Sequence, residues 1–296
     1  MGSAGMIGLA PWMQMGFDHV SSMNQTGRLP HALMIDGPGG WGEVELAAEI
    51  AMMLMERSGD PRTIAHPDFR WIEAENSVVK VDQIRNLIDF IQQTAHLGSL
   101  KVVVLEDAQK MNLNAANALL KILEEPPIGS HLILVTEAKD LMLPTVISRC
   151  QRVSIRKATR EVVVRWLSEQ DVAAEESEPL LIEYGGAPFH VLEAVRAERK
   201  SLWSALKTAR DGKTSVSDVV DGLRNENIVE VLTRWARFLH RLAVEDRVGP
   251  DGLDFFDDLI DARRMARSNT GLNRSLQLER LMFKWRGLVI LDRQKN

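Results

Sequence analysis

The first half of the chain alternates short apolar blocks with longer amphipathic stretches. Residues 31–36 (His-Ala-Leu-Met-Ile-Asp) have the length and apolarity of a buried strand and run into Gly37-Pro38-Gly39-Gly40-Trp41-Gly42, a glycine-rich turn. Residues 44–55 follow with helical composition. Residues 69–72 predict a second strand and residues 81–93 a helix with Val81, Ile84, Leu87, Ile88 and Ile91 on one face. A β-branched strand at 101–105, a helix at 114–125 stopped by Pro126-Pro127, and a buried strand at 131–136 continue the series. Ahead of all these, Phe17, Val20 and Met23 mark one side of a short leading helix that Gly27 can close and Pro30 follows. Strands alternating with helices predict a parallel, doubly wound sheet.

Past about residue 156 the strand pattern stops and the rest reads as helix, beginning with Thr159 as N-cap and Val163, Trp166 and Leu167 as a buried face. Gly185-Gly186-Ala187-Pro188 breaks one segment, and Glu175, Glu176 and Glu178 read as a solvated surface. Leu278, Leu281, Met282 and Trp285 form a stripe at i, i+3, i+4 and i+7, either core or a seam for a partner helix. One boundary falls near Ile155 and a second near residue 200, which divides the chain into 1–156, 157–200 and 201–296.

The 296 residues, 45% apolar, suffice for two or three cores. A formal net charge of -5 supplies no global positive field for DNA or an anionic membrane, so any nucleic-acid contact is expected to be local or shared. Cys150 is the one cysteine, which excludes an internal disulfide and a multi-cysteine zinc site. No stretch approaches the ~20 apolar residues of a membrane span, and residues 1–16 lack a basic segment ahead of their apolar ones. The expectation is an untargeted cytoplasmic protein that meets no membrane.

Strand, glycine loop, helix is the opening of a phosphate-binding unit. Gly37 and Gly42 keep the spacing of G-x-x-x-x-G-K-[ST], but Glu43 stands where the lysine would contact phosphates and Val44 where a hydroxyl would hold magnesium. A carboxylate there repels a triphosphate by about 4 kcal/mol per charge pair at ~4 Å and an effective dielectric near ~20. The loop therefore reads as a tight strand-to-helix turn with its nucleotide chemistry lost. Glu106 and Asp107 end the 101–105 strand where magnesium-holding acids would sit; an acid there is also a common helix cap.

The segment Asn114-Ala115-Ala116-Asn117-Ala118-Leu119-Leu120-Lys121-Ile122-Leu123-Glu124-Glu125-Pro126-Pro127, followed by Ser148-Arg149-Cys150, resembles bacterial clamp-loader subunits of the AAA+ class. Arg28-Leu29-Pro30-His31-Ala32 and His66-Pro67-Asp68 add to the likeness, which covers most of residues 12–155. It implies an AAA+ (P-loop NTPase-like) α/β N-terminal domain with a parallel sheet, then two all-helical domains, a small lid and a C-terminal collar. It further implies a place in the DNA polymerase III holoenzyme, in a hetero-pentamer with gamma/tau and delta subunits that sets a sliding clamp on primed DNA. Within the family the degenerate loop favours a non-hydrolysing member that binds no ATP. Phe189, where the sensor-2 region of an active ATPase carries arginine, points the same way. Many members carry a four-cysteine zinc module after the P-loop helix; residues 56–65 have no cysteine, so no zinc is expected and no cofactor is assigned.

On this resemblance Arg149 is an arginine finger acting in trans on a neighbour's γ-phosphate, an effect worth ~10³ to ~10⁵ in rate, with Ser148 and Cys150 shaping its turn. The structural alternative is an arginine that caps a carbonyl or pairs with a local acid. Asn117, Lys121 and Glu124 share a polar helix face that is either solvated or a contact for a neighbouring subunit or the DNA backbone, opposite Leu119, Leu120 and Leu123. Two rival functions stay open: a self-sufficient ATPase of gamma/tau type, and a DNA-binding helical module using Arg152, Arg156, Lys157 and Arg160.

Overall fold

The computed structural model describes residues 8–75, 78–98, 100–199, 201–268 and 273–290. Residues 1–7, part of the segment read as untargeted, and position 200, where a domain boundary was expected, lie outside the described residues. The chain forms two compact units, Met1–Trp166 and Leu167–Asn296. The expected small and C-terminal helical parts thus share the second unit, apart from residues 157–166.

The first unit carries the leading helix α1 (Gln14–Gln25) and strand β1 (Ala32–Asp36), then α2 (Glu43–Leu54), β2 (Phe69–Ile72), α3 (Val81–Gln92) and β3 (Lys101–Leu105). Helix α4 (Leu113–Glu124), β4 (Ser130–Thr136), the single turn α5 (Pro144–Ile147) and β5 (Gln151–Ser154) follow. The strands lie in the order β2-β3-β4-β1-β5, every neighbouring pair parallel. β1 and β3 are buried along their whole length, as a strand covered on both faces must be. One core cluster joins Met34, Val103, Leu105 and Leu134 of the sheet to Ile84, Leu87 and Ile91 of α3 and to Leu119, Ile122 and Leu123 of α4.

The motif residues tie this unit together. The Asp68 carboxylate is buried and accepts the backbone N–H groups of His96, Leu97 and Gly98 at 2.7, 2.7 and 3.3 Å, which closes the turn between α3 and β3. His31 Nε2 lies 3.1 Å from the Leu123 carbonyl oxygen, in place to donate at the end of α4. Buried Lys101 donates to the Phe90 carbonyl at 2.9 Å and lies over the Phe90 ring.

Helix α6 (Arg160–Glu169) spans the division between the units, and α7 (Ala174–Glu183), α8 (Pro188–Arg196), α9 (Leu202–Arg210), α10 (Val216–Gly222), α11 (Ile228–Val244), α12 (Pro250–Arg267) and α13 (Arg274–Gly287) complete the chain. The stripe Leu278, Leu281, Met282 and Trp285 is core: all four side chains are buried in a cluster with Leu206, Trp235, Leu239 and Phe255. Trp235 meets Phe255 and Trp285 edge-on at centroid distances of 5.6 and 6.0 Å, a favoured aromatic geometry. Glu175, Glu176 and Glu178 are exposed, and Phe189 is buried near the start of α8.

Candidate functional site

The glycine loop is filled from within. Glu43, the first residue of α2, is 2% exposed and folds its carboxylate back over the loop. Oε1 accepts the Gly39 N–H at 3.0 Å and Oε2 the Trp41 N–H at 2.9 Å. A Cβ on Gly37 would fall 2.1 Å from Glu43 Oε1, so only glycine leaves room for this carboxylate. Gly42 caps α2 at φ 98, a left-handed conformation that glycine adopts without a Cβ penalty. The two glycines of the motif therefore serve an internal anion. The sequence expectation that Glu43 would repel phosphate leaves out where its charge goes, which is into backbone N–H groups.

Aromatic rings pack beside the loop. The Trp12 indole N–H donates to the Trp41 carbonyl at 2.8 Å, and the Trp12 ring meets Trp41 and Trp166 edge-on at 5.6 and 5.2 Å. Val44 is half-buried and offers no oxygen. Asp36, at the end of β1, is engaged by β5: Arg152 donates through Nη2 at 2.9 Å and Nε at 3.3 Å, and Ser154 Oγ donates at 2.7 Å. Arg152 is thus paired with Asp36 and, like Arg156, Lys157 and Arg160, is exposed.

The acids after β3 are engaged as well. Glu106 accepts the Trp71 indole N–H at 3.0 Å and lies 3.6 Å from Arg62, whose guanidinium sits over the Trp71 ring at 5.1 Å. Burial raises the Glu106 carboxyl above its ordinary range against the opposing pull of Arg62 and the Trp71 hydrogen bond. Asp107 adopts φ 55 and pairs with Lys110 at 2.7 Å and Gln109 at 2.9 Å. Nearby on α2, burial pushes Glu45 up to about 7, with Arg62 opposing and Glu43 and Glu106 adding to the rise. This set does not fit a magnesium triphosphate: the Gly39 and Trp41 N–H groups are taken, the hydroxyl is absent and both acids have partners. Among the described residues no group of three or more His, Cys, Asp or Glu side chains is placed to hold a metal ion.

Arg149 lies apart from the loop, on the turn between α5 and β5. Its Nη2 is 2.7 Å from Glu124 Oε1 and its Nη1 donates to the Thr145 carbonyl at 2.9 Å, with the side chain 35% exposed. Ser148 donates to the same carbonyl at 3.1 Å and Cys150 Sγ to that of Val146 at 3.3 Å. Burial raises the Cys150 thiol to about 12, far from a thiolate at neutral pH. Asn117 and Lys121 are exposed on α4, the helix that supplies Glu124, while Leu119 and Leu123 are buried and Leu120 half-buried.

Trp12, Trp41, Asp36, Glu45 and Arg62 escaped sequence reasoning. For Trp41 a signal existed, a large aromatic inside a glycine loop; nothing local linked Trp12 to Trp41 or Arg62 to Glu106.

Residues 14–159 match the family described as DNA polymerase III, delta subunit. Over 96% of its length the chain is 29% identical to the DNA polymerase III subunit delta′ of Pseudomonas aeruginosa, and it spans 99% of that protein. Over nearly its whole length the chain is thus similar to delta-prime subunits of DNA polymerase III. Identity to the Yersinia pestis delta-prime subunit is 27%, over 93% of this chain and 94% of that one. The fold is also that of a gamma subunit-related protein from Thermotoga maritima, at TM-score 0.61 and 17% identity, covering 90% of this chain and 98% of the other. The expected α/β domain with a parallel sheet followed by helices is the fold observed, and β5, which no sequence pattern announced, completes its sheet.

Proposed function

We propose that the chain is the non-hydrolysing subunit of a DNA polymerase III clamp loader and lends Arg149 to an ATP site on a neighbouring subunit. It works in the cytoplasm, with gamma/tau and delta subunits in a hetero-pentamer that places a sliding clamp on primed DNA. In this reading residues 157–200 act as lid and residues 201–296 as collar, and the helical core of residues 202–285 supports the latter. The observation that carries the proposal is Glu43 bonded into its own glycine loop, where its carboxylate takes the Gly39 and Trp41 N–H groups that a phosphate would need. Catalysis would then be given in trans, by a guanidinium whose fork matches phosphate oxygens. Asn117 and Lys121 are the residues proposed to touch a neighbour or the DNA backbone.

The test is clamp- and DNA-stimulated ATP hydrolysis by the reconstituted loader carrying Arg149→Ala, with assembly confirmed by size. Loss of most stimulated turnover in an intact assembly is expected. An unchanged rate would leave a structural subunit without a finger.

A further inference from the structure

We propose that residues 37–43 are a retained oxyanion cradle whose resident ligand is the chain's own Glu43 carboxylate. The proposal deepens the reading above, resting on the chain not using ATP at this loop. Three observations converge. The Gly37 and Gly42 spacing is that of a phosphate loop, although a plain strand-to-helix turn needs no such frame. Each carboxylate oxygen takes one loop N–H, at 3.0 and 2.9 Å, as two oxygens of a phosphate would. The group is 2% exposed, and the space it fills is available only because Gly37 has no side chain.

An acidic residue buried at this depth is costly unless fixed donors replace its water, and the loop supplies them. The chain uses the same device at Asp68, held by three consecutive N–H groups. Glu43 is thus the counterpart of a bound phosphate, tethered at the first residue of α2 where the helix terminus also favours negative charge. The consequence is a loop locked in its anion-bound shape at all nucleotide concentrations. Its geometry stays fixed while neighbouring subunits cycle through ATP.

Removing the tethered anion should uncover a site for a condensed phosphate free of magnesium, because Val44 still lacks the metal-holding hydroxyl. The probe is magnesium-free inorganic tripolyphosphate, titrated calorimetrically into the full wild-type chain and Glu43→Ala, with amide exchange followed at Gly39 and Trp41. The wild type should show no saturable binding and strong protection of both amides. Glu43→Ala should bind it saturably, at least about tenfold above any residual wild-type affinity, losing the protection without tripolyphosphate and regaining it with the anion.

A folded Glu43→Ala chain that neither binds tripolyphosphate nor changes its exchange overturns the inference and leaves the non-hydrolysing reading standing. ATP binding at this loop in the wild type overturns both. Should Glu43→Ala not fold, the wild type against Glu43→Gln decides: the amide keeps one acceptor and sets an N–H₂ against the other donor, so one of the two backbone amides must lose protection. Equal protection of both in Glu43→Gln, or no protection in the wild type, overturns the inference.

Discussion

Arg149, on the turn between α5 and β5, and Glu124, the last residue of α4, form a 2.7 Å ion pair at the surface of the first unit. This is the local acid that the structural reading of Arg149 required, and it is supplied by the helix whose sequence carries the family resemblance. The pairing and the trans-acting role are compatible, because an ion pair with partners 35% and 50% exposed is worth only ~0–1 kcal/mol in water. In the proposed assembly a neighbour's phosphate, with more charge and more acceptors, would take the guanidinium from it.

Two substitutions therefore separate charge from geometry. Glu124→Gln should leave chain stability within ~0.5 kcal/mol and stimulated loader turnover within about twofold, since it removes only an exchangeable surface contact. Arg149→Lys should lose most of the stimulated turnover, because an ammonium cannot present two parallel N–H groups. Steady-state ATP hydrolysis by the assembled loader measures both; a fully active Arg149→Lys would show that a point charge is enough.

Asp68→Asn should destabilise the first unit by about 1.5–3 kcal/mol per charge-assisted hydrogen bond lost, through the turn at His96, Leu97 and Gly98. Burial raises the Asp68 carboxyl, but the three N–H donors and Lys101 together outweigh it and hold the group below its ordinary value. An acid depressed in the folded state contributes stability above its unfolded pKa and loses it as pH falls through the folded one. Urea unfolding of wild type and variant should accordingly show the full gap at neutral pH and a narrowing gap below the ordinary aspartate range.

Glu45 works in the opposite sense. Its folded value near 7 means that the native chain binds a proton which the unfolded chain, with an ordinary carboxyl of 4.5, has released between those pH values. Stability from this residue therefore falls as pH rises through that window, with Arg62 softening the loss and Glu43 and Glu106 deepening it. Glu45→Gln should raise the melting temperature at pH 8 and change it little at pH 4. Equal shifts at both pH values would place the effect in packing and not in charge.

What was legible in the sequence follows from how locally each feature is encoded. Strands 32–36, 101–105 and 130–136 are continuous apolar runs between turn residues, and α3 repeats its apolar face at helical spacing, so these segments announce themselves. β5 does not: of Gln151, Arg152, Val153 and Ser154 only Val153 is buried, and the strand exists because β1 lends it hydrogen bonds and Asp36 anchors Arg152. The loop was recognised from Gly37 and Gly42, and its missing lysine and hydroxyl from Glu43 and Val44. The fold-back of Glu43 onto Gly39 and Trp41 was not, since a substitution pattern reports a missing lysine and says nothing of the geometry its replacement adopts. Arg149 was found through its motif, and its pairing with Glu124 could not be, because the partners stand 25 positions apart in sequence and meet only when α4 and α5 pack.

The union of α7 with α9 and α11 in the second unit supplies the last prediction. Glu183, 1% exposed, accepts from the Ser201 hydroxyl, from Trp203 N–H at 2.8 Å and from Leu202 N–H at 3.2 Å, so the end of α7 caps the start of α9. Arg234 of α11, 3% exposed, pairs with Glu226, lies 3.7 Å from Glu183 and donates to the Tyr184 hydroxyl at 3.0 Å. Arg234→Ala leaves two carboxylates without their shared cation in a buried site, a change that costs ~3–5 kcal/mol. Amides of α9 and α11 should lose protection in hydrogen exchange, while those of β1 and β3 keep theirs. Replacing Arg234, Glu183 and Glu226 together by apolar residues of similar volume should recover much of that loss, since the penalty is the unpaired charge and not the missing contact. Protection lost more in the triple than in the single variant would mean that the Glu183 bonds to Ser201, Leu202 and Trp203, and not the charge balance, hold the start of α9.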